Sequence, residues 1–296
     1  MKNVLKFLII VAVIVGVVEG FVHRNSVVAF LSGSTSHDTT GAESSASPDG
    51  CALTTVSDPT TTDIGFVIDT TTSTASSFSE GVFSAILGQL QQLYPDKPDA
   101  PSDGVPALST INLNIRLVGD KSLVFGAPGS LSVTIPGVKG LPKRPSIDCF
   151  ASDGTGTYQQ WSQLKQAWDV SYGATVDARD AAIKAITGMP RKAAGGSGVM
   201  TTLTALARST ITHGHAAWVV ASDFVNNATI QSAGGDLNAF PLFLIAACPS
   251  GVAATCDANV NAFAQFATDL NSGPISVFDA NQTVDAVGQA FESALS

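Results

Sequence analysis

Charged residues are scarce in this sequence, and Lys and Arg form no run. Only 13% of the 296 residues are charged, and 24 acidic residues against 15 basic ones give a formal net charge of -9. Domains that bind nucleic acid usually present a basic face, so this balance argues against a nucleic-acid partner. A cation or a basic protein surface fits the balance better.

A full-length membrane span, which needs about 20 apolar residues, is also missing from the amino terminus. The apolar stretch at residues 7–18 follows Lys2 and Lys6 and has the length of a signal-peptide core. Residues 1–22 are therefore predicted to be a signal peptide or a membrane anchor, and a second apolar patch at residues 27–31 favours the anchor. We expect the rest of the chain to be extracytoplasmic, either membrane-anchored or secreted.

Cysteine is limited to four residues, and no Cys-x-x-Cys or His-x-x-x-His spacing indicates a zinc site. An even number of cysteines in an exported chain favours two disulfide bonds. Four cysteines allow three pairings. The short separation of Cys248 and Cys256 favours a bond between them, which leaves Cys51 and Cys149 as the second pair.

The sequence does contain alternating apolar segments that predict one large domain. Residues 23–60 are rich in Ser, Thr, Gly and Asp and are predicted to form a disordered stalk. Residues 61–296 alternate strands with helices, which predicts a doubly wound, mostly parallel α/β sheet covered by helices on both faces. Strands are predicted at 64–68, 111–117, 131–135 (an antiparallel edge), 216–221, 240–247 and 275–278, and helices at 77–94, 161–168, 176–186, 203–206, 260–270 and 284–295.

The stretch from Ile64 to Ser73 has the pattern of a buried strand that ends in oxygen ligands. Asp69 follows the apolar run directly, and Asp69, Thr71 and Ser73 stand at alternate positions. Ligands of open α/β sheets bind beyond the carboxyl ends of such strands. Carboxylates and hydroxyls are hard ligands that suit Mg²⁺ or Mn²⁺. The alternative is that these residues cap the next helix, because Asp, Ser and Thr are preferred at that position.

Two later segments present oxygen groups at positions that this fold would bring near Asp69. One is the Gly195-Gly196-Ser197-Gly198 loop before a helix, and the other is Asp223 after the strand at 216–221. The three-part pattern resembles the von Willebrand factor A domain and its metal-ion-dependent adhesion site, the family that includes the integrin inserted domains. That family combines Asp-x-Ser-x-Ser, a Thr after a Gly-Gly pair, and an Asp after the fourth strand.

The resemblance implies that hydroxyls bind the metal directly and that carboxylates act mainly through bound water. The matching residues are Thr71, Ser73 and Ser197 for direct binding, with Thr201 and Thr202 as alternates to Ser197, and Asp69 and Asp223 through water. The sequence departs from the family in having Thr71 for Ser, Ser197 for Thr, and Phe224 where Gly usually follows the last Asp. These departures leave open a degenerate site that keeps only the fold.

The function expected from the resemblance is cation-dependent adhesion rather than catalysis. A protein partner would complete the metal shell with an acidic side chain. The alternatives are a structural or accessory subunit with a degenerate metal site, and a serine hydrolase using Ser197. The loop around Ser197 lacks the Gly at position 199 and the preceding strand of a nucleophile elbow, which disfavours the hydrolase.

Two further segments are predicted to affect partner choice. The loop between Cys248 and Cys256 should emerge on the metal side. This loop and the irregular insertion at residues 136–157 are both candidates for setting partner specificity. His213 and His215 precede the strand that ends at Asp223. They are therefore expected at the opposite end of the sheet.

Overall fold

Six strands form a central sheet in the computed structural model, which describes residues 51–71, 74, 76–96, 104–118, 129–151, 155–191, 198–209, 214–224, 236–248 and 253–296. The strands are β1 (Thr61–Ile68), β2 (Thr110–Leu117), β3 (Ser130–Ile135), β4 (His215–Ser222), β5 (Leu242–Ala246) and β6 (Ile275–Asp279). The helices are α1 (Ser76–Leu93), α2 (Thr157–Thr187), α3 (Val199–Ser209), α4 (Ala253–Asp269) and α5 (Thr283–Leu295), with 3-10 turns at Ile147–Cys149 and Ala280–Gln282.

The strand order is β3-β2-β1-β4-β5-β6. From β1 the chain builds β2 and β3 on one side, and it then crosses to build β4, β5 and β6 on the other side. Among these strands β3 alone is antiparallel to its neighbour. This is the doubly wound, mostly parallel α/β fold predicted from the sequence, with the predicted antiparallel strand at one edge.

Helices cover both faces of the sheet. Strands β1 and β4 are therefore continuous apolar runs that are buried on both sides. One layer contains α1, α5 and the end of α2, and in it the rings of Phe66 and Phe291 lie 6.3 Å apart. The other layer contains α3 and α4, and in it Trp218 packs with Phe263. A Cβ at Gly65 would lie 2.5 Å from Trp218 Cε3, so the glycine makes room for the indole.

The two helices predicted at 161–168 and 176–186 are one continuous helix, α2, of 31 residues. Gly173 lies between the two predicted helices, but a glycine inside a helix costs only about 1 kcal/mol. Packing offsets that cost, because Trp161, Trp168 and Tyr172 form a small core with Val138 and other residues of the insertion. Both tryptophans of the helix are therefore core residues.

The two ends of the sheet receive different parts of the chain. We call the end at which the parallel strands finish the carboxyl end, and the opposite one the amino end. Since β3 runs against its neighbour, its last residue, Ile135, lies at the amino end beside Ile111. The insertion that follows therefore starts beyond the amino end, where two short bridges join it to the segment before β2.

Two disulfide bonds use all four cysteines, and one lies at each end of the sheet. Cys51 pairs with Cys149 at the amino end, and Cys248 pairs with Cys256 at the carboxyl end. Such bonds are typical of extracytoplasmic proteins. Residues 51–60, predicted to end the stalk, belong to the folded unit, since Cys51 is buried and Thr60 accepts a hydrogen bond from the sheet.

The predicted signal peptide or anchor, residues 1–22, and most of the predicted stalk lie outside the described residues. Within the described ranges no helix has both the length and the apolar character needed to cross a bilayer.

Candidate functional site

The carboxyl ends of β1 and β4 form the point at which the sheet changes direction of winding. In open α/β sheets, ligands bind in the crevice at this switch point. Asp69 directly follows β1 and Asp223 directly follows β4, and both are buried. The Asp69 N–H donates to the Ala221 carbonyl over 2.8 Å, which ties the two strand ends together. The structure thus places two of the predicted site residues at the switch point.

Both carboxylate oxygens of Asp69 accept hydrogen bonds from the protein. Oδ1 accepts from the backbone N–H of Thr71 at 2.9 Å, and Oδ2 accepts from Ser222 Oγ at 2.6 Å. A carboxylate has about four lone-pair positions, so each oxygen keeps capacity for a further donor such as water. Helix α1 begins only at Ser76, five residues after Thr71, so neither Asp69 nor Thr71 caps it.

Ser222 is a site residue that the sequence reasoning did not include. Its fully buried hydroxyl donates to Asp69 and accepts from the backbone N–H of Phe224 at 3.0 Å. One side chain therefore fixes the carboxylate after β1 and the backbone after β4. In the sequence, Ser222 is only a hydroxyl residue immediately before Asp223. Hydroxyl residues are common at strand ends, so this position does not indicate that Ser222 bonds to Asp69, 153 positions away.

The backbone at Phe224 explains why the resembling family has glycine at this position. Phe224 has φ of 54°, in the left-handed region that is unusual for a bulky residue and costs about 1–3 kcal/mol. Its ring is buried and packs edge-on against Phe263 of α4, with centroids 5.2 Å apart. Hydrophobic contact thus holds a conformation that glycine would adopt without strain.

Three buried hydroxyls near this end of the sheet make no hydrogen bond with the part of the protein that the structure describes. They belong to Thr70 and Thr74, which follow β1, and to Thr202, in the first turn of α3. Helix α3 ends shortly before β4 begins at the amino end of the sheet. Its last turn therefore lies toward the amino end, and its first turn lies toward the carboxyl end. A buried polar group without a partner costs about 1–3 kcal/mol, so these hydroxyls call for water or an ion.

Among the predicted hydroxyl ligands, Thr71 and Thr202 are buried, whereas Thr201 is half-exposed. Ser73 and Ser197 lie outside the described residues. The described ranges contain no cluster of three or more His, Cys, Asp or Glu side chains. The switch point therefore combines two carboxylates with neutral hydroxyls, a set of hard donors that fits Mg²⁺ with several of its waters and does not fit zinc.

The Cys248–Cys256 disulfide lies beside these residues. Cys248 follows β5 at the carboxyl end, and the sulfur of Cys256 lies 3.5 Å from the Asp223 carbonyl oxygen. The insertion at 136–157, predicted to help set partner specificity, starts at the amino end and not at the switch point, because β3 runs against its neighbour. His215 opens β4 at that same end, as expected, and His213 is outside the described residues.

Comparisons with known proteins add no family to this description. No protein-family model matches the chain, and no curated protein matches it. The resemblance to the von Willebrand factor A domain consequently rests on the three motif segments of the sequence, and the function has to be inferred from the switch point.

Proposed function

We propose that this protein is an exported, membrane-tethered binding module of the von Willebrand factor A type, which contacts a protein partner through Mg²⁺ or Mn²⁺. The observation that carries the proposal is the meeting of two buried carboxylates, Asp69 and Asp223, beside unsatisfied hydroxyls at the switch point. Buried polar groups are normally satisfied, and an ion or water at the switch point would satisfy these exceptions.

The roles of the residues follow from the contacts that each already makes. Asp69 is held by Thr71 and Ser222, which suits a carboxylate that orients metal-bound water rather than one that binds the ion directly. Thr71 and Ser73 supply hydroxyls from the loop after β1. Thr202 replaces Ser197 or adds to it, because its buried hydroxyl needs a partner. When bound, the cation would offer an open coordination position to a carboxylate of the partner.

The Cys51–Cys149 disulfide and the switch point lie at opposite ends of the sheet. Cys51 is held at the amino end, whereas the switch point lies at the carboxyl end. A partner bound to the cation would therefore not contact this disulfide. The net charge of -9 disfavours contact with an acidic partner, and a bridging cation would offset that repulsion locally.

The experiment is the thermal midpoint of the purified chain in chelator and in excess Mg²⁺ or Mn²⁺, for wild type, Asp69→Asn and Asp63→Asn. Asp63 is the matched control, since it is a buried carboxylate on β1 at the amino end. A ligand at a hundred times its Kd stabilises the folded state by about 2.7 kcal/mol, which raises the midpoint by a few degrees. We expect the cation to raise the midpoint of wild type and Asp63→Asn but not of Asp69→Asn.

A structural or accessory subunit with a degenerate metal site is the second candidate function. The left-handed Phe224 favours it, because a bulky residue at the usual glycine restricts the backbone after Asp223. Unchanged midpoints for all three proteins across millimolar cation would reject the adhesion module and support this candidate.

A further inference from the structure

One loop at the amino end of the sheet combines exposed apolar and basic side chains. We call residues 139–150 the Phe150 loop. Ile147 and Phe150, on either side of buried Cys149, are each 59% exposed. Three basic residues and one acidic residue give the loop a charge of +2, in a chain whose net charge is -9, and Lys139 is paired with Asp58 at 2.9 Å. The basic residues are Lys139, Lys143 and Arg144, the densest group of cations in the sequence.

The loop is held firmly, so the exposure of its apolar residues is built into the fold. The Cys51–Cys149 disulfide fixes one part, and Trp161 Nε1 donates to the Pro142 carbonyl at 2.9 Å to fix another. The Arg144 guanidinium lies 5.4 Å from the centre of the Tyr158 ring. Burying a large apolar side chain is worth about 1.5–3 kcal/mol, yet these contacts keep Ile147 and Phe150 in solvent.

The chemistry of the loop and its place in the chain indicate which surface it contacts. Cys51 is bonded to the loop by the disulfide. The predicted signal peptide or anchor at residues 1–22 is therefore joined, through residues 23–50, to a point of the domain beside the loop. Exposed Ile and Phe beside Lys and Arg are the combination with which proteins contact the boundary of an anionic bilayer.

We propose that the Phe150 loop is a docking surface for an anionic phospholipid bilayer. Ile147 and Phe150 enter the headgroup boundary to a depth of about 5–10 Å, and Lys143 and Arg144 contact lipid phosphates. The bilayer thereby orients the domain, with the switch point facing away from it. This inference takes the membrane tether from the proposed function and makes no use of the cation site.

The test is tryptophan quenching in the full chain bound to vesicles of phosphatidylcholine and phosphatidylglycerol in equal parts, prepared with brominated acyl chains. Phe150→Trp places a reporter in the loop. Val284→Trp is the matched control, because Val284 is 64% exposed in the first turn of α5, at the carboxyl end. Relative to wild type, we expect quenching of the tryptophan at position 150 and none at position 284. Removing Lys143 or Arg144 should weaken loop insertion about fivefold per cation.

Equal quenching of the two reporters, or none at position 150, would overturn the proposal. If Ile147→Ser with Phe150→Ser dissociated an oligomer without changing contact with lipid, the loop would instead be an interface between copies of this chain. A chain that does not bind the vesicles would refute the tether and the docking surface together. The shift of the thermal midpoint by Mg²⁺ would still test the cation site independently.

Discussion

Buried polar groups at the two ends of the sheet differ in how they are bonded. At the amino end a network of buried side chains around Tyr94 is satisfied, although the Thr157 and Ser272 hydroxyls near that end also lack a partner among the described residues. Tyr94 donates to the Ser109 carbonyl at 2.6 Å, Thr175 donates to the Pro136 carbonyl at 2.9 Å, and Arg179 donates to the Tyr94 carbonyl and to Asp96. At the carboxyl end Thr70, Thr74 and Thr202 have no partner among the described residues. A satisfied network indicates a structural role, whereas several unsatisfied hydroxyls beside two buried carboxylates call for water or an ion.

The largest effect should come from removing the centre of the satisfied network. Arg179→Met leaves the Tyr94 carbonyl without its donor and frees two exposed carboxylates, Asp96 and Asp180. Because bonds to a charged group are worth about 1.5–3 kcal/mol, we expect the free energy of unfolding in urea to fall by about 3 kcal/mol. Lys184→Ala, on the exposed side of the same helix, should change it by less than about 0.5 kcal/mol. Equal losses would show that Arg179 has no special role.

High pH should weaken the same network through Tyr94. Burial raises the pKa of the Tyr94 phenol above its ordinary value of 10.0, so the folded protein keeps the proton that the unfolded chain releases. The free energy of unfolding should therefore fall above about pH 10, by about 1.4 kcal/mol per pH unit from this group. The measurement is the urea midpoint at several pH values for wild type and Tyr94→Phe. A wild-type slope no steeper than that of the variant would contradict the prediction.

The smallest expected effect comes from making the same substitution, Thr to Val, at each end of the sheet. It gives the most direct comparison of the two ends. Thr175 and Thr202 are both buried helical threonines, the first with a partner and the second without one. In chelator, Thr175→Val should lower the free energy of unfolding by about 1 kcal/mol, whereas Thr202→Val should leave it unchanged or raise it by a similar amount.

Excess Mg²⁺ separates these two threonine variants further. We expect the cation to raise the thermal midpoint of Thr175→Val as it does that of wild type, and to raise that of Thr202→Val less or not at all. If the cation shifted both midpoints equally, Thr202 would not be a ligand.

Sequence reasoning was sufficient for the strands and for the position of the carboxylates. Buried parallel strands are continuous apolar runs, so the ends of β1 and β4, with Asp69 and Asp223 directly after them, could be predicted. The continuity of α2 through Gly173 could not, because it depends on packing against the insertion. The bond from Ser222 to Asp69 likewise depends on a tertiary contact that no local pattern reveals.

The reversed direction of β3 has a consequence for how this protein can change over time. A parallel strand at that edge would release residues 136–157 beside the switch point, where every insertion or deletion would disturb partner binding. Because β3 runs the other way, the chain after it and the start of α2 lie at the amino end. The proposed docking surface and the proposed cation site can therefore acquire substitutions independently, and one could change while the other stays constant.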